Sequence, residues 1–69
     1  MKVKDLISRI FNRNVEIAVN EYNGDEHTGR RWIIPPRSND CTHIPDDVWN
    51  SDVSMIVPYY ERISIEIEA

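Results

Sequence analysis

The sequence predicts an α+β domain in which an N-terminal helix packs on a mainly antiparallel four-stranded sheet, in the order α-β-β-short α-β-β. Two observations lead to this prediction. Apolar residues near the N-terminus recur at helical spacing, whereas later apolar residues alternate with polar ones, as in strands with one buried face. Because no linker divides the 69 residues, we expect 1–69 to form a single domain.

The predicted helix runs from residue 3 to residue 11. Its apolar residues follow the spacing 0, 3, 4, 7 and 8, which places them on one helical face: Val3, Leu6, Ile7, Ile10 and Phe11. Asp5 and Arg9, on the opposite face, are spaced to form an i, i+4 pair. The helix is expected to end at residues Asn12 to Asn14, because asparagine tolerates the left-handed conformation that often follows the last turn of a helix. We expect this helix to cover one face of the sheet.

The first two strands are predicted at 15–20 and 30–34. Between them, Asn23 and Gly24 tolerate positive φ and favour a type I′ hairpin turn, with a longer polar loop as the alternative. The Pro-Pro pair at 35–36 cannot donate ladder hydrogen bonds, so it should end the second strand.

The second half of the chain predicts a short helix and a second hairpin. Pro45, Asp46 and Asp47 suit the first turn of a helix, with Val48 and Trp49 turned inward. Two alternating runs follow, and they are expected to pair through the connection 58–62. In these runs Val53, Met55 and Val57 alternate with Ser54 and Ile56, and Ile63, Ile65 and Ile67 alternate with Ser64, Glu66 and Glu68.

The small size of the chain predicts self-association. A core in a domain this small rarely supplies more than ~3–5 kcal/mol of net stability, and the single cysteine, Cys41, excludes an internal disulfide. One helix covers only part of a four-stranded sheet, so Ile56, Trp32 or Trp49 should stay partly exposed and available to an interface. We therefore predict a homo-oligomer.

The excess of acidic over basic residues argues against some classes of binding partner. Twelve acidic and eight basic residues give a net charge of −4, which opposes binding to extended nucleic-acid backbones. Asp46, Asp47 and Asp52 form a cluster smaller than the long acidic face expected of a DNA mimic. The sequence shows no signal peptide and no long apolar run, which predicts a cytoplasmic protein that does not enter a membrane.

Four segments, which together span most of the chain, carry a resemblance. They are Lys2-Val3-Lys4-Asp5-Leu6-Ile7, the Val15/Ile17/Val19 strand, Ile44-Pro45-Asp46-Asp47 and Ile63-Ser64-Ile65-Glu66-Ile67. Their pattern resembles the small uncharacterised proteins of bacterial phages and prophages. The matching residues are packing and turn residues, so no catalytic residue is carried across. The resemblance implies a counter-defence factor in the bacterial host cytosol, which occupies an immune protein or sequesters an immune nucleotide.

Arginines and aromatic residues occur together at two places: Arg30, Arg31 and Trp32, and Tyr59, Tyr60 and Arg62. Guanidinium groups bind phosphate in a bidentate manner, and aromatic rings stack on bases with ~1–3 kcal/mol per base. The first hypothesis is therefore a non-enzymatic protein that sequesters an anionic nucleotide at a subunit interface. The alternative for the first cluster is a core Trp32 with solvated arginines beside it.

A second hypothesis, from a different class, is an inhibitor that binds a host or immune protein, as an anti-CRISPR protein does. Its contacts would come from an acidic segment with one large aromatic residue: Asp46, Asp47, Trp49 and Asp52. Exposed aromatics elsewhere would complete the surface. A third possibility is a structural or regulatory phage protein without a ligand.

Metal binding is not expected. Cys41 and His43 lie near Asp40 and two further aspartates, and all of these residue types ligate metals. A structural zinc site normally has two spaced pairs of ligands. The second pair is missing here unless His27 or another subunit contributes, so we predict neither a metal nor a cofactor.

Catalysis is not expected either. Glu21, His27 and Arg30 have the residue types of a small nuclease, namely an acid, a base and a phosphate clamp. Nothing in their spacing holds them near one another. Cys41 with a histidine has the residue types of a nucleophile and its base, but no distinctive local motif surrounds it.

Overall fold

The computed structural model describes residues 1–10 and 14–69, which form two helices and one four-stranded sheet. The elements in chain order are α1 (Val3–Arg9), β1 (Glu16–Asn23), β2 (Glu26–Ile34), α2 (Asp46–Trp49), β3 (Val53–Pro58) and β4 (Arg62–Glu68). This order confirms the predicted α+β architecture. The predicted last apolar residue of the helix, Phe11, and the predicted stop beginning at Asn12 lie outside the described residues.

The strands are arranged in the order β2-β1-β4-β3. Strands β1 and β2 form an antiparallel hairpin, and so do β3 and β4. The two hairpins meet at the centre, where β1 pairs with β4 in parallel. The sheet is therefore mainly antiparallel, as predicted, and within the described residues it contains one parallel pair.

The core lies between the two helices and one face of the sheet. Its buried members are Val3 and Ile7 of α1, Ile44 before α2, Val48 of α2, and Ile17, Val19, Ile34, Ile65 and Ile67 of the strands. Because side chains alternate along a strand, the intervening residues face the other way. We call this second side the open face, and it carries Glu16, Ala18, Asn20 and Tyr22 of β1, Arg62 and Ser64 of β4, and His27 and Arg31 of β2.

The start of α1 is tied to the start of β3. The backbone N–H of Val3 donates to the carbonyl of Ser51 at 2.9 Å, and the N–H of Val53 donates to the carbonyl of Met1 at 2.9 Å. Between these bonds, Lys2 Nζ lies 3.1 Å from Asp52 Oδ1. These contacts hold the helix over the sheet. Neither helix in the described part of the chain is long and apolar enough to cross a lipid bilayer.

The first hairpin differs from its prediction in turn type and length. Asn23 pairs with Glu26, so Gly24 and Asp25 occupy the two central turn positions. Gly24 has φ 65°, whereas Asp25 is not among the described residues with positive φ, which is the pattern of a type II′ turn rather than type I′. Strand β2 accordingly begins at Glu26, so the polar stretch that the alternative prediction made a loop belongs to the strand, with a bulge at 28–30.

Strand β3 forms one edge of the sheet, and its alternation is interrupted. The register shifts between Val53 and Met55, so Ile56 lies opposite Ile65 while Met55 lies opposite Glu66. The predicted grouping of Met55 with Val53 on one apolar face is therefore wrong, because a bulge resets the alternation. Met55 is 55% exposed and Ile56 47%.

The predicted partial exposure of large apolar residues is confirmed. Ile56 is exposed at the edge, and Trp32 and Trp49 are half-buried against the core.

The role of α1 in the core gives a stability test. Ile7 is fully buried, so Ile7→Ala should lower the free energy of unfolding by ~2–5 kcal/mol, through lost apolar burial and the cavity left behind. Lys4→Ala, on the exposed side of the same helix, should change it little. Urea denaturation followed by circular dichroism measures both variants. Equal, small effects would show that α1 does not pack on the sheet.

Candidate functional site

The open face contains a groove of ≈ 1460 Å³. Its volume is large enough for a small ligand, because typical ligand pockets measure ~300–1,000 Å³. Strands β1, β2 and β4 and the segments that flank them line it: Asn14, Val15, Glu16, Asn20, Tyr22, His27, Arg31, Pro36, Tyr59, Tyr60, Glu61, Arg62 and Ser64.

The structure brings together four of the six residues predicted to bind an anionic ligand. Arg31, Tyr59, Tyr60 and Arg62 all line the groove. The other two residues, Arg30 and Trp32, lie on the opposite side of the sheet.

Strand alternation explains why Arg30 and Arg31 separate. Trp32 lies beside Val19 on the core side of the sheet, and Arg31 lies beside Asn20 on the open face. Arg30 faces the same side as Trp32, with its guanidinium carbon 5.0 Å from the centre of the indole ring. A cation over a tryptophan face is attracted by the ring quadrupole, so this pair has a structural role.

Arg30 also balances a buried carboxylate. Its Nη1 lies 3.1 Å from Oε2 of Glu21, and the hydroxyl of Thr28 donates to Oε1 of Glu21 at 2.9 Å. A buried carboxylate is costly unless it is paired and hydrogen-bonded. Arg30 and Glu21 therefore stabilise the core side of β1 and β2, and His27 lies away from them on the open face. The three residue types of the nuclease reading do not converge.

Arg62 is held in the groove by Glu16. The two residues are neighbours in the parallel register of β1 and β4, and Arg62 Nε donates to Oε1 of Glu16. Within the described residues, the terminal Nη groups of Arg62 have no hydrogen-bond partner. Glu16 thus fixes the direction of the guanidinium and leaves its two outer nitrogens for a ligand.

Arg31 is the other cation of the groove. Among residues 1–10 and 14–69 it has neither an ion pair nor a side-chain hydrogen bond. Two arginines and two glutamates line the groove, so its formal charge is zero in a chain of net charge −4. The groove is therefore less repulsive to an anion than the protein surface as a whole.

The two tyrosines of the groove lie in the β3–β4 turn. Tyr59 is 62% exposed and Tyr60 is 96% exposed. The turn is closed by the backbone N–H of Tyr59, which donates to the carbonyl of Arg62 at 2.7 Å. Two exposed aromatic rings beside an arginine form a surface on which a planar ligand can stack.

A chain of polar side chains forms the floor of the groove. The backbone N–H of Gly29 donates to Nδ1 of His27 at 2.9 Å, so the proton of the neutral ring is on Nε2. His27 Nε2 then lies 3.2 Å from Oδ1 of Asn20, and Asn20 Nδ2 donates to Oγ of Ser64 at 2.9 Å. Asn20 and Ser64 are both buried.

A bulge in β2 positions this chain. Between the pairs Asn20↔Arg31 and Tyr22↔His27, β1 advances by two residues and β2 by four. Gly29 lies in the extra segment with φ 91°, a conformation that favours glycine. The bulge turns the Gly29 N–H toward the His27 ring, which also makes an edge contact with Tyr22 at 5.2 Å between ring centres.

The acidic residues of the second hypothesis lie elsewhere. Asp46 and Asp47 are exposed on α2, and Trp49 is half-buried against the core. Asp52 pairs with Lys2, which cancels part of the negative charge. Two free carboxylates therefore remain exposed at this surface in the described structure.

The region of Cys41 and His43 is organised by turns. Nε2 of His43 lies 2.8 Å from the carbonyl of Ile33 and donates to it. Hydrogen bonds from the side chain and backbone of Thr42 lower the pKa of Asp40, with a smaller contribution from the charge of His43. Among the described residues, no group of three or more His, Cys, Asp and Glu is placed to hold a metal ion.

Several groove residues did not emerge from sequence clustering: Glu16, Asn20, Tyr22 and Ser64. The sequence does contain a signal for them. Each alternates along its strand with residues that lie in the core, so each faces the other side of the sheet. These four residues could have been grouped only by knowing that their two strands pair and comparing the residues that face away from the core. That pairing is not local in sequence.

Comparisons of the chain with protein-family models, with curated proteins and with solved structures found no match. We therefore infer the function from the groove and its side chains.

Proposed function

We propose that this protein is a non-enzymatic binding protein that holds a small anionic nucleotide in the groove of the open face. The observation that carries the proposal is that Arg31, Arg62, Tyr59 and Tyr60, which come from separate strands and a turn, line one groove. The guanidinium groups supply charge-assisted hydrogen bonds to phosphate. The tyrosine rings supply a stacking surface for the base.

Two contacts favour binding over catalysis. A general acid or base needs an atom within reach of the substrate proton. In His27 both ring nitrogens are engaged by protein atoms, from Gly29 and Asn20. Glu16, the carboxylate paired with an arginine of the groove, is used to orient Arg62.

The biological setting that we propose is that of a phage-type counter-defence protein, which sequesters an immune nucleotide signal in the cytosol of a bacterial host. The support for this setting is the resemblance of the chain to small phage and prophage proteins. A groove that binds without turnover suits sequestration, because a sequestered signal must remain intact and bound.

The nucleotide proposal predicts which arginines matter. Arg31→Ala and Arg62→Ala should each weaken binding by ~1.5–3 kcal/mol through loss of a charge-assisted contact, with the fold intact. Arg30→Ala is the control for charge, because it removes the same charge from the neighbouring residue on the opposite side of the sheet; since it also leaves the buried Glu21 without its ion pair, circular dichroism must show that the variant folds. Isothermal calorimetry with mono-, di- and cyclic nucleotides at low salt measures the three variants. Equal losses of binding free energy in Arg30→Ala and Arg31→Ala would contradict the assignment of the binding site to the groove.

The alternative function, inhibition of a host or immune protein through the acidic surface, predicts the opposite pattern. Charge reversal of Asp46 and Asp47 to lysine should leave nucleotide binding unchanged. If a basic protein is the partner, the same change should slow association in a salt-dependent manner. A pull-down from host lysate, run beside the calorimetry, separates the two. A stoichiometric protein partner without any nucleotide binding would reject the first function.

We also propose that the protein forms a homo-oligomer through the edge strand β3, where Met55 and Ile56 are exposed. An exposed apolar edge strand readily pairs with another strand. Analytical ultracentrifugation at micromolar concentration should show a dimer or a larger closed oligomer. Ile56→Lys should shift it to monomer, whereas Asn23→Lys, which adds the same charge in the β1–β2 turn, should not. A monomeric wild type would reject the oligomer.

A further inference from the structure

The hydrogen-bond chain in the floor of the groove has a fixed direction. It begins at the Gly29 N–H, a backbone donor that cannot accept. His27 Nδ1 therefore accepts, and Nε2 donates to Oδ1 of Asn20. With its oxygen used in this way, Asn20 presents Nδ2 to Ser64 and donates to Oγ. Each group donates to the next one along the chain, so the Ser64 hydroxyl oxygen accepts the last hydrogen bond and its O–H is not used within the chain.

The hydroxyl proton of Ser64 is consequently directed away from Asn20. Ser64 is 8% exposed and lines the groove. In the described part of the chain, its hydroxyl donates to no protein atom. A buried donor without an acceptor is unfavourable, and the preceding bonds polarise this one further. The groove thus presents two neighbouring buried donors, the Ser64 hydroxyl and the second N–H of Asn20 Nδ2, which favour a ligand with an acceptor there.

We infer that Ser64 is a specificity-determining residue, which donates its hydroxyl hydrogen bond to a carbonyl oxygen on the base of the bound nucleotide. This inference rests on the proposed function. An amino group at the same ring position is itself a donor and would face both the Ser64 hydroxyl and the neighbouring Nδ2 of Asn20. Bases that carry the carbonyl therefore bind more tightly than otherwise matched bases that carry the amino group.

Two ligand pairs test this inference on the wild-type protein. Inosine and adenosine monophosphates differ in a carbonyl or an amino group at one ring carbon, and so do uridine and cytidine monophosphates; in each pair the adjacent ring nitrogen changes from a donor to an acceptor as well, so the Ser64 variants are needed to assign a preference. Calorimetry should show the carbonyl member of at least one pair binding about tenfold more tightly, the size expected for loss of one buried hydrogen bond. Binding of all four nucleotides with equal affinity would overturn the inference and leave the proposed function standing. Binding of none would overturn both.

Variants assign the preference to this hydroxyl. Ser64→Ala should abolish the difference within the pair, and Ser64→Thr, which retains the hydroxyl, should restore it. Ser54→Ala is the matched control, because Ser54 lies on β3 outside the groove, where its hydroxyl donates to the carbonyl of Glu66. A preference that persists in a folded Ser64→Ala protein would overturn the assignment. If Ser64→Ala fails to fold, the wild-type ligand pairs still decide whether the preference exists.

Discussion

The parallel pairing of β1 with β4 is the contact on which the rest of the structure depends. Each outer strand joins the sheet through a hairpin, and among the described residues the two hairpins pair with each other only along β1 and β4. Parallel strands cannot be joined by a tight turn and need a crossover. Here the crossover contains α2, whose Val48 is buried against the strands together with the preceding Ile44. One side of the central pair forms the core, and the other side brings Glu16 to Arg62 and Asn20 to Ser64.

The two sides of the sheet therefore have separate roles. Apolar burial beneath the helices supplies the stability, since each fully buried aliphatic side chain is worth ~1.5–3 kcal/mol. On the open face, polar groups are buried without a helix above them, which costs free energy unless each is hydrogen-bonded. Asn20 is hydrogen-bonded at both ends of its amide, to His27 and to Ser64, which offsets much of this cost. An oriented donor left at the end of such a chain is more useful for recognition than for stability.

Adjacent residues in the chain can have opposite roles. Arg30 pairs with Glu21 and covers Trp32, and both contacts stabilise the core side. Arg31, one residue later, faces the groove. The two arginines are adjacent in the sequence and were therefore predicted to act together. Successive side chains of a strand point to opposite faces of the sheet, so the structure separates them. Tyr59, Tyr60 and Arg62 do lie together, because a tight turn keeps its residues at one end of the sheet.

The amino-acid sequence by itself determined the elements that depend on local periodicity and turn chemistry: the apolar stripe of α1, the four strands, the short helix after Pro45 and the exposed tyrosine turn. Only the tertiary structure decided the turn at Gly24, the bulge at Gly29 and the parallel register that forms the groove. The groove contacts join residues 44 and 46 positions apart in the chain. Local patterns do not encode such contacts, because a strand with a given alternation can pair with several partners and registers until packing of the whole sheet selects one.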